Sequence, residues 1–86
     1  MQTATKGVFY FTIMTLTQDQ FIGLPDWVNF LAIDSDLELW GYEHKPRIGY
    51  SSWVSDERED EKTTFLGICT EYSDDWKASL IERQKA

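Results

Sequence analysis

Two apolar runs separated by a short polar tip dominate the pattern of the chain. The first run covers residues 27–33, the second covers residues 37–42, and Asp-Ser-Asp lies between them. Strand-favouring residues on both sides of turn-forming residues are typical of a β-hairpin. We therefore predict a hairpin with a two-residue turn at its tip, which places Leu31 beside Trp40 in the paired strands.

Both faces of this predicted hairpin are apolar, because hydrophobic residues follow one another instead of alternating with polar ones. A hairpin with one solvated face would alternate. A helical spacing also fits Trp27, Phe30 and Leu31, but the β-branched and aromatic content favours strands. We expect the hairpin to be central, covered on one side by helices and on the other by chain or a partner.

The N-terminal third of the chain predicts one short helix. Thr17 and Gln20 have the spacing of a capping box, and Gly23 supplies a stop signal. Residues 1–13 are expected to be either a flexible leader or an extra strand. Residues 14–86 are expected to form one domain.

The C-terminal half predicts two more strands and a second helix. The strands cover residues 50–54 and 63–70, with Gly67 marking a bulge or close packing. The helix begins at an N-cap on Ser73. The predicted fold class is therefore α+β: a single small domain in which an antiparallel sheet of four strands, or five with the leader, packs against a short N-terminal and a C-terminal helix.

Charge and cysteine content narrow the function classes. Fifteen acidic and eight basic residues give a net charge of −7, which disfavours direct binding to nucleic acid or to an anionic membrane. The same charge permits recognition of a basic partner site. Cys69 is the single cysteine, so no internal disulfide can form, and a cytoplasmic setting is predicted.

Two groups of residues are candidate interaction sites. Trp and Tyr anchor many protein interfaces, and an acidic run could imitate phosphate spacing. The alternatives are that the aromatic residues belong to the core and that the acidic run is a solvated loop. The aromatic candidates are Trp40, Tyr42, Tyr50 and Trp53, and the acidic candidates are Asp56, Glu57, Glu59, Asp60 and Glu61.

No residue pattern predicts catalysis, a metal or a cofactor. His44 is the single histidine, and no motif ties a serine or cysteine nucleophile to it. Asp34 and Asp36 with Glu38 resemble the start of a calcium loop, but the glycine and the distant glutamate of that loop are missing. A plain turn is the favoured interpretation, and we expect a protein that is not an enzyme.

The hairpin resembles a pattern in small proteins of unknown function encoded by phages and prophages. That pattern is W-[VI]-x-[FYW]-[IVL]-A-x-D-x-D-G-x-[VIL]-W-x-[YF]-E-x-x-P, and Trp27 to Pro46 match it with Leu37 in place of glycine. The resemblance covers about twenty residues and implies a bacterial host cell as the location. It implies no activity, ligand or site.

Binding is the function that these observations favour. We expect a small acidic phage accessory protein that binds a host protein through aromatic and acidic surface, without catalysis. One alternative is an acidic mimic of nucleic acid that blocks a DNA- or RNA-binding protein. The others are a small-ligand module using His44 with neighbouring carboxylates, and a homodimer formed by the second hairpin face.

Overall fold

The computed structural model describes residues 9–55 and 61–85, and in them short strands form a five-stranded and a two-stranded sheet. In chain order the strands are β1 Tyr10–Phe11, β2 Phe30–Ile33, β3 Glu38–Tyr42, β4 Arg47–Ile48, β5 Trp53–Val54, β6 Thr63–Cys69 and β7 Ile81–Glu82. The larger sheet has the spatial order β1-β6-β3-β2-β7, and β4 pairs with β5.

The predicted hairpin is present at the centre of the larger sheet, with a different register. β2 and β3 pair antiparallel with Ala32 opposite Trp40 and Leu31 opposite Gly41, one residue away from the predicted pairing. The difference arises at the tip, where Leu37 takes a positive φ of 73°. Leu37 N donates to Asp34 O at 2.9 Å, and Asp34 N donates to Glu38 O at 2.9 Å. The tip therefore has three residues between its paired ends instead of two.

Each face of the hairpin carries its own hydrophobic cluster, as the double apolar pattern predicted. Leu31, Ile33 and Leu39 belong to the first cluster, whose buried members also include Val28 and Cys69. On the second face, Ala32, Tyr42 and Trp53 are buried, with Trp40 and Trp76 among the residues packed against them. The chain itself thus covers both faces.

Gly67 makes a bulge that lets the sheet accept a parallel strand. The pairing of β3 with β6 shifts at this point, since Leu39 lies opposite Gly67 while Trp40 lies opposite Phe65. Gly67 has a φ of +155°, and a Cβ there would lie 2.4 Å from the Phe9 carbonyl oxygen. Only glycine allows β1 to approach this closely. Because β1 and β6 are parallel, the sheet is mixed and not purely antiparallel as predicted.

The predicted packing of helices against the sheet is wrong. In the residues that the structure describes, the helical elements are two short 3-10 turns, Gln18–Phe21 and Trp76–Ala78. The N-terminal one begins where predicted. Thr17 caps it, and Thr17 N donates to Gln20 Oε1 at 2.6 Å, completing the capping box. It ends after one turn, before Gly23 with its φ of +85°.

The predicted C-terminal helix is replaced by a 3-10 turn followed by β7. Leu31 pairs with Ile81, so β7 occupies the free edge of β2. Ser79 continues this edge, because Ile33 N donates to Ser79 Oγ at 2.8 Å. Beyond β7, Arg83 Nη2 donates to Phe21 O at 3.3 Å. These long-range bonds outweigh a helical preference that, over so few residues, is marginal in water.

The predicted third strand is shorter than expected. The strand predicted over residues 50–54 is limited to β5, and its partner β4 lies in a segment for which no strand was predicted. Gly49 N donates to Ser52 O at 2.8 Å and closes the turn between them. This small hairpin folds back onto the tip of the central one, where Ser35 Oγ donates to Ser51 O at 2.6 Å.

Candidate functional site

Alternate residues of β3 project a carboxylate and two aromatic rings towards the same side of the sheet. Because successive strand residues point to opposite faces, Glu38, Trp40 and Tyr42 share one face. Trp40 Nε1 donates to Glu38 Oε1 at 3.1 Å. The Trp40 ring meets Phe65 edge-on, with centroids 5.6 Å apart. The indole therefore fixes the glutamate in place while its own ring is held by the neighbouring strand.

The hairpin tip brings a second carboxylate to this face. Asp34 is 7% exposed, and its Oδ1 accepts a hydrogen bond from Trp53 N at 2.8 Å. Turn-forming Asp is expected at the first position of such a tip. Here its side chain also ties the end of the central hairpin to β5.

Trp53 is anchored through its ring nitrogen to two separate elements. Its Nε1 donates to Ile33 O at 3.1 Å and lies 3.2 Å from Trp76 O. The two indoles meet edge-to-face, with ring centroids 6.3 Å apart and an angle of 88° between the planes. A buried indole with its N–H satisfied in this way is a rigid wall.

These side chains surround a cavity of about 230 Å³, which we call the acidic–aromatic pocket. Its walls combine two carboxylates, three aromatic rings and three hydroxyl side chains. The lining residues are Asp34, Glu38, Trp40, Tyr42, Ser52, Trp53, Ser55 and Thr63. No basic side chain is among these lining residues, so the pocket as described has negative charge without a built-in counter-ion.

Burial changes the acid–base properties of two pocket residues. Desolvation raises the pKa of Asp34, and the charges of Asp36 and Glu38 add to this, although the hydrogen bond from Trp53 N opposes it. Desolvation also raises the pKa of Tyr42 well above its usual range, helped by the charge of Asp34. Asp34 and Tyr42 both line the pocket, so the charge of the carboxylate disfavours ionisation of the phenol.

The tip also gathers three carboxylates. One oxygen each from Asp34, Asp36 and Glu38 lie within 4.8 Å of one another. Oxygen ligands suit a hard cation such as Ca²⁺, which takes six to eight of them. These three residues would therefore be the ligands if a metal were held, although exposed carboxylates also cluster in turns without one. Asp36 already accepts a hydrogen bond from Glu38 N at 3.2 Å.

The structure brings three of the four aromatic candidates together. Trp40, Tyr42 and Trp53 all line the acidic–aromatic pocket, whereas Tyr50 is fully exposed and does not line it. Asp34 and Glu38 were predicted as residues of the turn and not as part of the aromatic interaction site. The signal for Glu38 was its spacing from Trp40 and Tyr42, which places all three on one strand face.

Most of the acidic candidates lie outside the described residues. Asp56, Glu57, Glu59 and Asp60 are outside the described residues, and Glu61 is half-buried. Ser55 and Thr63, which flank the acidic run in the sequence, both line the pocket. The chain before the run and the chain after it therefore both reach the pocket.

The residues considered for catalysis lie elsewhere. His44 Nε2 is 3.7 Å from Glu43 Oε1, and His44 does not line the acidic–aromatic pocket. Cys69 is completely buried, and burial raises the pKa of its thiol to about 11. A buried thiol with this pKa is a poor nucleophile.

A second concavity lies beside β1 and is mainly apolar. It has a volume of about 700 Å³, and its walls include Phe9, Phe11, Ile22, Leu39 and Leu66. Phe9 and Ile22 are largely exposed. This groove has no paired carboxylates comparable to those of the acidic–aromatic pocket, since its one acidic lining residue is Asp19.

Comparisons with known proteins assign no family or function to the chain. No protein-family model, curated protein or solved structure matches the chain. Among the residues that the structure describes, no helix has the length and apolar character needed to cross a membrane.

Proposed function

We propose that this chain is a non-catalytic binding protein, of the phage accessory type, that uses the acidic–aromatic pocket to contact a protein of the host cell. The observation that carries the proposal is that Trp40, Tyr42 and Trp53 lie in one cavity with the carboxylates of Asp34 and Glu38. Rigid aromatic residues around a desolvated centre are the usual source of binding energy in protein interfaces.

Charge supports a partner with a basic surface. The protein carries a net charge of −7, and Ser55 and Thr63, which lie on either side of its acidic run in the sequence, both line the pocket. Complementary charge speeds encounter with a basic partner and adds specificity. The carboxylates inside the pocket are less screened by salt than exposed ones, so part of the attraction persists at high ionic strength.

Affinity capture from a bacterial lysate tests the proposal when wild type is compared with two charge-reversal variants. Glu38→Lys reverses a pocket charge, and Glu71→Lys makes the same change at an exposed residue that does not line the pocket. We expect one protein to be retained by wild type and by Glu71→Lys and to be lost with Glu38→Lys. Circular dichroism must show that all three baits are folded.

Two results would contradict this function. Equal capture by Glu38→Lys would mean that the pocket makes no contact with the partner. A set of nucleic-acid-binding proteins that is retained at low salt and lost at high salt, regardless of Glu38, would instead favour mimicry of nucleic acid by the acidic run.

A further inference from the structure

We propose that the acidic–aromatic pocket is a receptor for the guanidinium group of a single arginine side chain on the partner. This inference rests on the proposed function and names the chemical group that the pocket takes.

The size of the pocket suits a side chain better than a free ligand. Its volume is about 230 Å³, whereas cavities that enclose whole small molecules usually measure about 300–1,000 Å³. Liquid water takes up about 30 Å³ per molecule, so the pocket has room for roughly seven waters. That space accommodates one side chain inserted from a partner.

The positions of the two carboxylates suit a group that carries several N–H donors in one plane. Oxygens of Asp34 and Glu38 lie within 4.8 Å of each other, and both residues line the pocket. Trp53 N occupies Asp34 Oδ1, and Trp40 Nε1 occupies Glu38 Oε1. In the described residues, no further hydrogen bond is made to the second oxygen of either side chain. A planar guanidinium presents five N–H donors and can bond to both carboxylates together.

Tyr42 adds a third polar group to the pocket wall. Tyr42 is 3% exposed and lines the pocket beside Asp34. A phenolic oxygen accepts hydrogen bonds, so an inserted guanidinium would meet a third acceptor there beside the two carboxylates.

Aromatic walls favour arginine over lysine. The indoles of Trp40 and Trp53 both line the pocket and are held by hydrogen bonds through their ring nitrogens. Guanidinium stacks on aromatic faces and is more weakly hydrated than ammonium, so it loses less on entering a largely desolvated site. Lysine would bring one compact, strongly hydrated ammonium group that lacks the planar fork of donors.

A peptide titration followed by NMR tests this inference without knowledge of the partner. The probes are three blocked tripeptides, Gly-Arg-Gly, Gly-Lys-Gly and Gly-citrulline-Gly, added to the full chain in EDTA. Citrulline keeps the shape of arginine and removes its charge. The four tryptophan indole N–H signals report the binding position, because Trp40 and Trp53 line the pocket while Trp27 and Trp76 do not.

We expect the arginine peptide to shift the Trp40 and Trp53 signals in a saturable way, with the lysine peptide weaker and the citrulline peptide without effect. Glu38→Gln should weaken arginine binding about tenfold, since one charge-assisted hydrogen bond is lost. Glu71→Gln should leave it within about twofold of wild type.

Saturation by citrulline, equal binding of lysine and arginine, or shifts confined to Trp27 and Trp76 would each overturn the inference. Its failure is distinct from failure of the proposed function. If capture depends on Glu38 but the arginine peptide does not bind, the proposed function stands and the arginine inference fails. If the arginine peptide binds but no protein is captured, the arginine inference stands and the proposed function fails.

Discussion

Leu37 shows how one residue sets the form of the hairpin tip. Its φ of 73° is in the left-handed region, which costs a residue with a Cβ roughly 1 kcal/mol or more. The hairpin pattern that this sequence resembles has glycine at the same position. Leu37 compensates by packing against the first hydrophobic cluster, so strain in the backbone is offset by burial of the side chain.

We predict that glycine at position 37 is more stable than alanine by roughly 1 kcal/mol, because only glycine adopts this φ without strain. Both variants lose the leucine side chain, so the difference reports the backbone alone. Urea unfolding of Leu37→Gly and Leu37→Ala measures it. The same pair at Ser35, which does not have a positive φ, should show the opposite order. Alanine more stable at both positions would contradict the argument.

Asp34 links the pocket to the pH dependence of stability. Its pKa is raised in the folded protein, mainly by desolvation. Between the ordinary pKa of 3.8 and the raised value, the folded state keeps a proton that the unfolded state has released. Stability from this group therefore falls as pH rises through that window and is constant above it.

We predict that Asp34→Asn gains stability relative to wild type as pH rises from below 3.8 towards neutrality. Asparagine keeps an oxygen that can accept from Trp53 N and carries no charge to desolvate. Thermal unfolding of both proteins across this pH range gives the difference at each pH. Parallel stability profiles for the two proteins would show that Asp34 is not responsible.

At the scale of elements, Ser79 explains why the end of the chain is a strand. It is 4% exposed, and its Oγ accepts from Ile33 N at 2.8 Å and lies 2.7 Å from Trp76 O. In the part of the chain that the structure describes, β7 pairs with Phe30 and Leu31. The Ser79 hydroxyl thus accepts the next hydrogen bond along the edge of β2, from Ile33 N, where the two-residue strand β7 does not extend.

We predict that Ser79→Ala lowers the free energy of unfolding by about 1–3 kcal/mol, because Ile33 N–H would be buried without an acceptor. Chemical denaturation measures the change. Ser73→Ala, at an exposed residue, is the matched control and should stay within about 0.5 kcal/mol of wild type. A similarly small effect at Ser79 would mean that water or another group replaces the hydroxyl.

The contrast between the hairpin and the C-terminal segment shows what local sequence can decide. Residues 27–42 contain their own partner strand, so their apolar pattern predicted both the hairpin and its central place. The segment after Ser73 has an N-cap signal for a helix. In the structure it pairs with β2, and its Arg83 bonds to Phe21 O. No local pattern contains those partners, and the predicted helix was therefore wrong.

The candidate site was predictable to a similar extent. Alternation along β3 was sufficient to group Trp40 with Tyr42, and it would also have added Glu38. Asp34 could be recognised as a turn residue but not as a buried one, because its burial depends on β5 folding over the tip. The pocket lies between two hairpins, so it can be recognised only once their arrangement is known.

At the scale of the whole molecule, both outer strands of the larger sheet come from distant parts of the chain. Tyr10 pairs with Ile68, and Phe30 pairs with Glu82, whereas β2 and β3 are joined by a short tip. Closing a long loop costs more entropy than closing a short one, and sheets rich in such distant pairs fold slowly. We therefore expect the central hairpin to form first, with both of its edges unpaired. We expect the protein to be most prone to aggregation at that stage of folding, before β6 and β7 cover the two edges.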